Sequence, residues 1–383
     1  MMPMMMTAID LPHLTDKDDI AGKTFLVRGA LNAPVADGEV VEDVRLQSIL
    51  PTVSWLTSRG GRVILIGHLS GSDTDSFAPI ANYLRKHIDI TFITEYANGA
   101  AQSAVNSMRN GDVMLFENLR KYEGEKANDS KFARMLADYA DVYVNDAFPA
   151  AHRKHASIVG VPQYVPSRVG KQFQAEVANL SKALDPKRPF VFVLGGAKFR
   201  TKIPLVEKFA SIADQIFLGG AIANVYLQAD GFPIGQSKRP ETIPDLQKEL
   251  ESQSLKLPVD VVCETPAGDS AVRNVDEVID DDVIVDIGPR TVSLIEDVVA
   301  DAKMVVWNGP LGWYEKGYTQ ATDDLAGILA ESDAETILGG GDTGAVVLDD
   351  YETNDFSFVS TAGGAMIQFL ANETLPGIEA LRS

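Results

Sequence analysis

A triple glycine followed by an acid and a hydroxyl is the stretch of this sequence best suited to chemistry. Gly339-Gly340-Gly341 follows a short apolar run, and Asp342 and Thr343 come directly after it. Glycines lack a Cβ, so their backbone N–H groups can approach an anion closely, and a helix beginning here would add partial positive charge. Phosphate with Mg²⁺ needs this combination, because one carboxylate can hold the metal. An ordinary turn in which Asp342 or Thr343 caps a helix is the alternative.

Three more apolar runs in the C-terminal half end in glycine. They lead into Gly195-Gly196, Gly219-Gly220 and Asn308-Gly309-Pro310. Ligands of parallel α/β sheets bind beyond the carboxyl ends of the strands, so four glycine-ended strands predict a nucleotide crevice. Lys198 and Lys202 are four residues apart, so on a helix they would share one face and reach the phosphates. A solvated basic helix face is the alternative for these two lysines.

Cations mark the strand ends of the N-terminal half. Four of them lie at or just after the end of an apolar run, namely Arg28, His68, Arg120 and Arg153. A fifth, Arg45, follows the first loop. The arginine fork binds two oxygens of a phosphate or carboxylate at once. The set therefore predicts a focused anion site, and scattered surface cations paired with the abundant acids are the alternative.

The balance of charge excludes nucleic acid as a partner. The chain of 383 residues has a formal net charge of −20, whereas binding to a phosphate backbone needs a basic face. Such an excess of acid repels itself in dilute salt and is screened in concentrated salt, which predicts a halophilic protein. The single cysteine, Cys263, excludes an internal disulfide and favours a reducing cytoplasm. Apolar runs fall short of the roughly 18 residues of a membrane span, so we expect no membrane segment.

Strands and helices alternate along the chain, which predicts parallel sheets covered by helices on both faces. A chain of this length exceeds one hydrophobic core, so two domains are expected. The amphipathic stretch from Val169 to Leu184, ended by Asp185-Pro186, is assigned as the helix between them. In the second half we expect a polar helix over Glu241 to Leu255 and strands over Val259 to Cys263 and Val283 to Asp286.

A dehydrogenase is an alternative from another class of enzyme. Gly339, Gly341 and Gly344 fit the pattern G-x-G-x-x-G, which alone is a weak signal. A dinucleotide-binding fold needs an acid at the end of the next strand, and here that strand ends in Val359-Ser360-Thr361. The sequence contains no G-x-x-x-x-G-K-[ST], which excludes a P-loop protein.

Four longer signatures, taken in order, resemble the phosphoglycerate kinase family, and the resemblance spans nearly the whole chain. They are Asn145-Asp146-Ala147-Phe148 with His152-Arg153, Leu194-Gly195-Gly196-Ala197-Lys198 with Lys202, Trp307-Asn308-Gly309-Pro310-Leu311-Gly312 with Glu315, and Gly339-Gly340-Gly341-Asp342-Thr343. The resemblance implies reversible phosphoryl transfer between ATP and the carboxylate of 3-phosphoglycerate, with Mg²⁺ as cofactor. We therefore predict a cytoplasmic, monomeric enzyme that acts on small molecules.

The resemblance also implies the architecture, namely two Rossmann-like α/β domains joined by the interdomain helix and a hinge. We assign residues 1–168 to the acceptor domain and 169–185 to the interdomain helix. Residues 186–365 are assigned to the nucleotide domain, and residues 366–383 to a C-terminal helix and tail that pack back toward the first domain.

Site residues follow from the resemblance position by position. The acceptor-binding set is Arg28, Asn32, Arg45, His68, Arg120 and Arg153. The nucleotide-binding set is Gly195, Lys202, Gly219, Gly220, Asn308, Pro310, Glu315, Gly340, Gly341, Asp342 and Thr343. The catalytic set is Arg45, Lys198, Gly363 and Gly364, and Asp342 resembles the carboxylate that holds Mg²⁺ or its water shell.

Departures from the family fall mainly on the acceptor side. The family's Arg-x-Asp-x-Asn reads Arg28-Gly29-Ala30-Leu31-Asn32, without the acid, and its His-x-Gly-Arg-Pro reads His68-Leu69-Ser70-Gly71-Ser72, without the arginine. The Gly-Thr expected after Phe148 is Pro149-Ala150, and on the nucleotide side Ala362 stands where a glycine is usual. A related kinase for another phosphorylated acid, and a nucleotide-binding homologue with little turnover, are therefore alternatives.

Overall fold

Two compact units make up the chain in the computed structural model, which describes residues 10–71, 74–348 and 350–382. One unit takes the chain as far as Ala178 together with the segment from Thr374 onward, and the other is Asn179–Glu373. The domain limits assigned from the sequence stay predictions. None of the helices in the described ranges is long and apolar enough to cross a membrane.

Strands and helices alternate in the first unit. In chain order they are β1 Thr24–Gly29, β2 Val35–Ala36, β3 Glu39–Val40, α1 Val44–Thr57, β4 Arg62–Ile66, α2 Ala78–Leu84, β5 Thr91–Ile93, α3 Gln102–Asn106, β6 Val113–Phe116, α4 Glu123–Ala127, α5 Ser130–Ala137, β7 Val142–Asp146, β8 Ser167–Val169 and α6 Lys171–Lys182. The helix α6 runs past the boundary between the units.

The same alternation continues through the rest of the chain. The elements are β9 Phe190–Leu194, α7 Phe199–Phe209, β10 Gln215–Leu218, α8 Gly220–Ala229, α9 Gln247–Leu250, β11 Leu255–Lys256, β12 Asp260–Glu264, β13 Ser270–Asn274, β14 Val283–Ile287, α10 Pro289–Val299, β15 Met304–Asn308, α11 Gln320–Ala330, β16 Glu335–Gly339, α12 Gly341–Val347, β17 Phe358–Ser360, α13 Gly364–Asn372 and α14 Pro376–Arg382. The last helix, α14, belongs to the first unit, where the backbone N–H of Gly377 donates to the carbonyl of Ala151 at 2.8 Å.

Each unit is built on one six-stranded sheet whose strand pairs are all parallel. The strand orders are β5-β6-β4-β1-β7-β8 and β11-β10-β9-β15-β16-β17. The central strands read as continuous apolar runs because helices cover both faces, and every residue of β9 is buried. This confirms the predicted α/β class, and it gathers the carboxyl ends of β1, β4 and β7, and of β9, β10, β15 and β16, at one edge of each sheet.

The second unit also contains a small antiparallel sheet in the order β13-β12-β14. The two strands predicted over 259–263 and 283–286 lie in this sheet and not in a parallel one. The helix predicted over Glu241 to Leu255 is wrong, since only Gln247–Leu250 is helical and Leu255–Lys256 is a strand. Pro244 explains the difference, because proline disfavours helical backbone in the residue before it.

Candidate nucleotide and acceptor sites

Glycine loops at the ends of β9, β10 and β15 are hydrogen-bonded to one another in the second unit. The Gly195 N–H donates to the carbonyl of Asn308 at 3.0 Å, and the Gly220 N–H donates to the carbonyl of Leu311 at 2.7 Å. A Cβ on Gly195 would lie 2.2 Å from the carbonyl oxygen of Pro310, so a larger residue would force the loops apart. The convergence of glycine-ended strands predicted from the sequence is therefore present.

A cleft of about 290 Å³ opens beside these loops. Its walls include the apolar side chains of Val261 and Ile284 from the antiparallel sheet, and both Lys198 and Glu315 line it. Apolar walls with a few polar groups are typical of small-molecule sites. Glu315 was predicted as a nucleotide contact, and its exposed carboxylate in the cleft is placed where a ribose hydroxyl could donate to it.

The triple glycine forms the turn between β16 and α12. Gly340 has a φ of 116°, which glycine tolerates and other residues rarely adopt. The hydroxyl of Thr343 is buried, accepts from the N–H of Gly309 at 2.8 Å and donates to the carbonyl of Gly339 at 3.1 Å. Through these two hydrogen bonds, Thr343 links the loop after β15 to the end of β16. The prediction that Asp342 holds Mg²⁺ concerns a side chain outside the described atoms.

The turn before α13 lies against the triple glycine. A Cβ on Gly363 would be 3.5 Å from the backbone nitrogen of Gly341, so the starts of α12 and α13 are neighbours. The glycine backbones at the two helix starts thus lie next to each other, and neither glycine has a side chain to separate them. Such a cradle suits phosphate oxygens, which accept hydrogen bonds from N–H groups.

The two lysines after β9 occupy different environments. Lys198 is the residue before α7 and is exposed, whereas Lys202 lies inside α7 and is 3% exposed. The Nζ of Lys202 donates to the carbonyls of Gly195 and, at 3.3 Å, Asn308. The prediction of one shared helix face is wrong, because α7 begins after Lys198 and Lys202 turns inward to carbonyls at the ends of β9 and β15. The role of Lys202 in nucleotide binding stays a prediction.

In the first unit, three of the predicted acceptor residues, Arg28, Arg120 and Arg153, lie around His68. Its Nδ1 lies 2.8 Å from the Nη2 of Arg28, and its Nε2 lies 3.4 Å from the Nη1 of Arg153. Burial lowers the pKa of His68 well below its usual value, and the charges of Arg28, Arg120 and Arg153 lower it further. A neutral imidazole must accept from Arg28 at Nδ1, so its Nε2 carries the proton. Two donors then face each other, and an anion could accept from both.

Arg28 is wholly buried, and further hydrogen bonds fix its guanidinium group. Its Nε donates to the hydroxyl of Ser157 at 3.0 Å, and that hydroxyl donates to the buried carboxylate of Glu125 at 2.7 Å. Arg28 was predicted to bind the acceptor directly. Its burial and its contact with His68 instead favour a role in fixing the orientation of that imidazole.

Arg45, in the first turn of α1, is hydrogen-bonded to Asn32 in the loop after β1. The Nη1 of Arg45 donates to the carbonyl of Asn32 at 2.7 Å, and the Oδ1 of Asn32 accepts from the N–H of Ser70 at 2.7 Å. Burial lowers the pKa of Arg153, and burial together with the charges of Arg153 and Arg28 lowers that of Arg120, as expected when cations are gathered in one place. The structure thus brings together the six acceptor residues that the sequence analysis singled out.

Several residues of the two sites escaped the sequence analysis. Glu125 and Ser157 lack any local motif, and only their contacts with Arg28 reveal them. Asp286 lines the cleft, and burial raises its pKa to about 7. Its signal was visible, since it ends an apolar run. Among the described residues, no three side chains of His, Cys, Asp or Glu lie close enough to form a metal site.

Comparisons with known proteins agree with this geometry. The sequence profile of the family described as phosphoglycerate kinase matches residues 14–373. The phosphoglycerate kinase of Azorhizobium caulinodans is 39% identical over 388 residues, covering 96% of this chain and 98% of the relative. The solved structure of phosphoglycerate kinase from Coxiella burnetii has a TM-score of 0.83 at 35% identity and covers 97% of this chain and 98% of that chain. The one from Pyrococcus horikoshii also has a TM-score of 0.83, at 27% identity. This chain belongs to the phosphoglycerate kinase family.

Proposed function

We propose that this chain catalyses the reversible transfer of a phosphoryl group between ATP and the carboxylate of 3-phosphoglycerate, giving ADP and 1,3-bisphosphoglycerate. One observation carries the nucleotide half of the proposal, namely the glycine backbones at the starts of α12 and α13, which lie next to each other in the unit whose cleft Lys198 lines. The cations around His68 support the acceptor half, because they form a site for an anion with several oxygens. We propose the first unit as the acceptor domain and the second as the nucleotide domain.

Chemistry at a carboxylate needs no general base. The acceptor is already ionised at neutral pH, since carboxyl groups titrate near 4. Catalysis then rests on positioning and on neutralising the charge of the moving group. We assign Lys198 and the backbone of Gly363 and Gly364 to that group, and Arg45 to the reacting end of the acceptor. Lys198 is suited to this because its side chain is exposed at the cleft.

The residues present fit a magnesium ion that is held mainly by nucleotide phosphates. Mg²⁺ in such sites takes one or two carboxylates and keeps several waters, so a cluster of three acids is unnecessary. Asp342 in the first turn of α12, directly after the glycine turn, would hold it or its water shell. The ion would supply neutralisation of phosphate charge when bound.

A related kinase for another phosphorylated acid is the second candidate. It is favoured by Ala30, which is buried against Ala147, Ala150 and Ile158 and offers no acid to the acceptor. It is also favoured by Gly71, where a Cβ would meet nothing within 4 Å, so that space is open. The overall position of the cations is compatible with either acceptor.

Trapping of the acyl phosphate tests the proposal. The chain is incubated with ATP, Mg²⁺ and 3-phosphoglycerate in the presence of hydroxylamine, which converts an acyl phosphate to a hydroxamate and draws the transfer forward. We expect hydroxamate and ADP in equal amounts, and their loss in Lys198→Ala. ADP without hydroxamate would show hydrolysis in place of transfer, and the absence of both products would contradict the proposed function.

A further inference from the structure

We infer that Lys126 and Arg120 together bind the phosphate of the acceptor, with Lys126 supplying a positive charge that Gly71 does not provide. The inference rests on the proposed function, because it names a further ligand of the same acceptor. It assigns a binding role to a side chain that belongs to none of the motifs described above.

Both side chains line one open cavity of about 590 Å³, here called the Arg120 cavity. The loop from Leu69 to Gly71 forms another wall of it, so the cavity occupies the side of Arg120 on which the loop lacks a cation. Lys126 lies on the short helix α4 and its side chain is exposed. An ammonium on a flexible stem can follow a phosphate within a cavity of this size.

The two cations are unpaired within the described parts of the chain. The backbone N–H of Arg120 donates to the Oδ1 of Asn118 at 3.0 Å, but its Nε is buried without a hydrogen-bond partner. The Nζ of Lys126 makes no ion pair or hydrogen bond with any described residue. In a chain with 54 acids against 34 lysines and arginines, two cations that line one cavity without an ion pair are unexpected unless an anion from outside is to be bound.

Nearby carboxylates are already matched by another lysine. Asp75 also lines the Arg120 cavity, and its carboxylate lies 3.6 Å from the Nζ of Lys121. The same Nζ lies 3.1 Å from the carboxylate of Glu117, which is buried and also accepts from the N–H of Phe77 at 2.6 Å. The positive charges of Lys126 and Arg120 therefore have no carboxylate paired with them, so the cavity favours the binding of an anion.

Hydrogen bonds join the Arg120 cavity to the predicted acceptor residues. The Oδ1 of Asn118 accepts from the N–H of Leu69 at 3.1 Å as well as from that of Arg120, which fixes the loop against the arginine. Next along the loop, the N–H of Ser70 donates to Asn32, at the place proposed for the reacting end. A single phosphorylated acid could thus lie with its phosphate toward Lys126 and its carboxylate toward Asn32.

The variant Lys126→Met removes the charge and keeps much of the stem. We expect KM for 3-phosphoglycerate to rise about tenfold, the low end for a lost hydrogen bond to a charged group. The KM for ATP and the midpoint of thermal unfolding should stay unchanged, because the side chain is exposed and belongs to the first unit, whereas the proposed nucleotide residues belong to the second. Lys126→Arg should restore most of the acceptor affinity. The matched control is Lys131→Met, an exposed lysine on the neighbouring helix α5 that does not line the cavity.

Failure of this inference differs from failure of the proposed function. Hydroxamate formation by the parent with equal KM values for Lys126→Met and Lys131→Met would overturn the inference and leave the function standing. Without hydroxamate from the parent the proposed function fails, and the inference is then judged by calorimetric titration of inorganic phosphate. Weaker phosphate binding by Lys126→Met than by Lys131→Met supports the anion site, and equal binding by the two variants overturns it.

Discussion

Replacing Thr343 with valine should weaken the contact between two of the nucleotide loops, because the hydroxyl of Thr343 is hydrogen-bonded to both. The hydroxyl accepts from the N–H of Gly309 at 2.8 Å and donates to the carbonyl of Gly339 at 3.1 Å, and it is buried. Valine has nearly the same shape, so Thr343→Val leaves no large cavity. It leaves a buried N–H and a buried carbonyl without their partner.

The expected loss in the free energy of unfolding follows from the backbone N–H of Gly309, which loses its acceptor. A buried polar group that loses its partner costs about 1–3 kcal/mol. In a unit of this size roughly 2–4 °C of melting temperature corresponds to each kcal/mol, so a fall of about 2–12 °C is expected. Calorimetric unfolding measures that fall. Titration with Mg-ATP should also show weaker binding, since the loop at Gly309 and the glycine turn would no longer be tied together.

Thr343→Ser is the control, since it keeps the hydroxyl and loses only a methyl group. We expect its unfolding temperature and its ATP affinity to lie much closer to the parent than those of Thr343→Val. Equal values for the serine and valine variants would refute the reasoning, because they would show that the hydroxyl contributes nothing that the shape of the side chain does not.

Three more predictions concern single side chains of the second unit. Lys198→Ala should lower kcat with little change in ATP affinity, as expected for a group that acts on the transferred phosphoryl, and an unchanged kcat would rule out that role. Asp342→Asn should remove most of the gain in ATP affinity that Mg²⁺ confers, measured by titration with and without the ion, while a gain equal to the parent's would contradict the assignment. Burial raises the pKa of Asp286 to about 7, so its contribution to stability is present below about pH 4 and lost as the pH rises toward 7. Between pH 4 and 7 the free energy of unfolding should therefore fall less for Asp286→Asn than for the parent, by up to about 4 kcal/mol as measured by chemical unfolding. Parallel plots of the free energy of unfolding against pH for the two proteins would contradict this.

Two structural features bear on restoring the family's acceptor loop. Gly71 has a φ of 80°, so an arginine there would be strained although nothing fills the space around it. Ala30 is 5% exposed among small apolar side chains, so an aspartate would have to be buried there. Restoring the two residues would therefore confound affinity with stability, and substitution at the exposed Lys126 gives a clearer answer.

Local signals in the sequence predicted most of the fold. Strands with two buried faces read as apolar runs, and helix α6, Lys171–Lys182, lies within the amphipathic stretch predicted from Val169 to Leu184, because burial and helical spacing are properties of neighbouring residues. The antiparallel sheet and the broken helix around Pro244 were missed. Strand direction depends on pairing with distant segments, and a proline within a polar stretch has little effect on its periodicity.

Positions in the candidate sites were predictable where they lie at strand ends, and side-chain directions were not. Lys202 turns inward because the carbonyl of Asn308, 106 residues away, lies within reach of its Nζ. Ser157 reaches Arg28 across 129 residues. No spacing rule gives contacts between such distant segments. The predictions of a monomer, of cytoplasmic location and of salt-dependent stability stay predictions.

The most direct test of the account is the specificity of phosphoryl transfer among acceptors. The ratio kcat/KM is measured with Mg-ATP and each of a panel of phosphorylated carboxylic acids that differ in chain length and in the position of the phosphate. We predict the highest kcat/KM for 3-phosphoglycerate, with the preference reduced in Lys126→Met. A higher kcat/KM for another acid of the panel would contradict the proposed function and show that the pocket around His68 and Arg120 serves that acid.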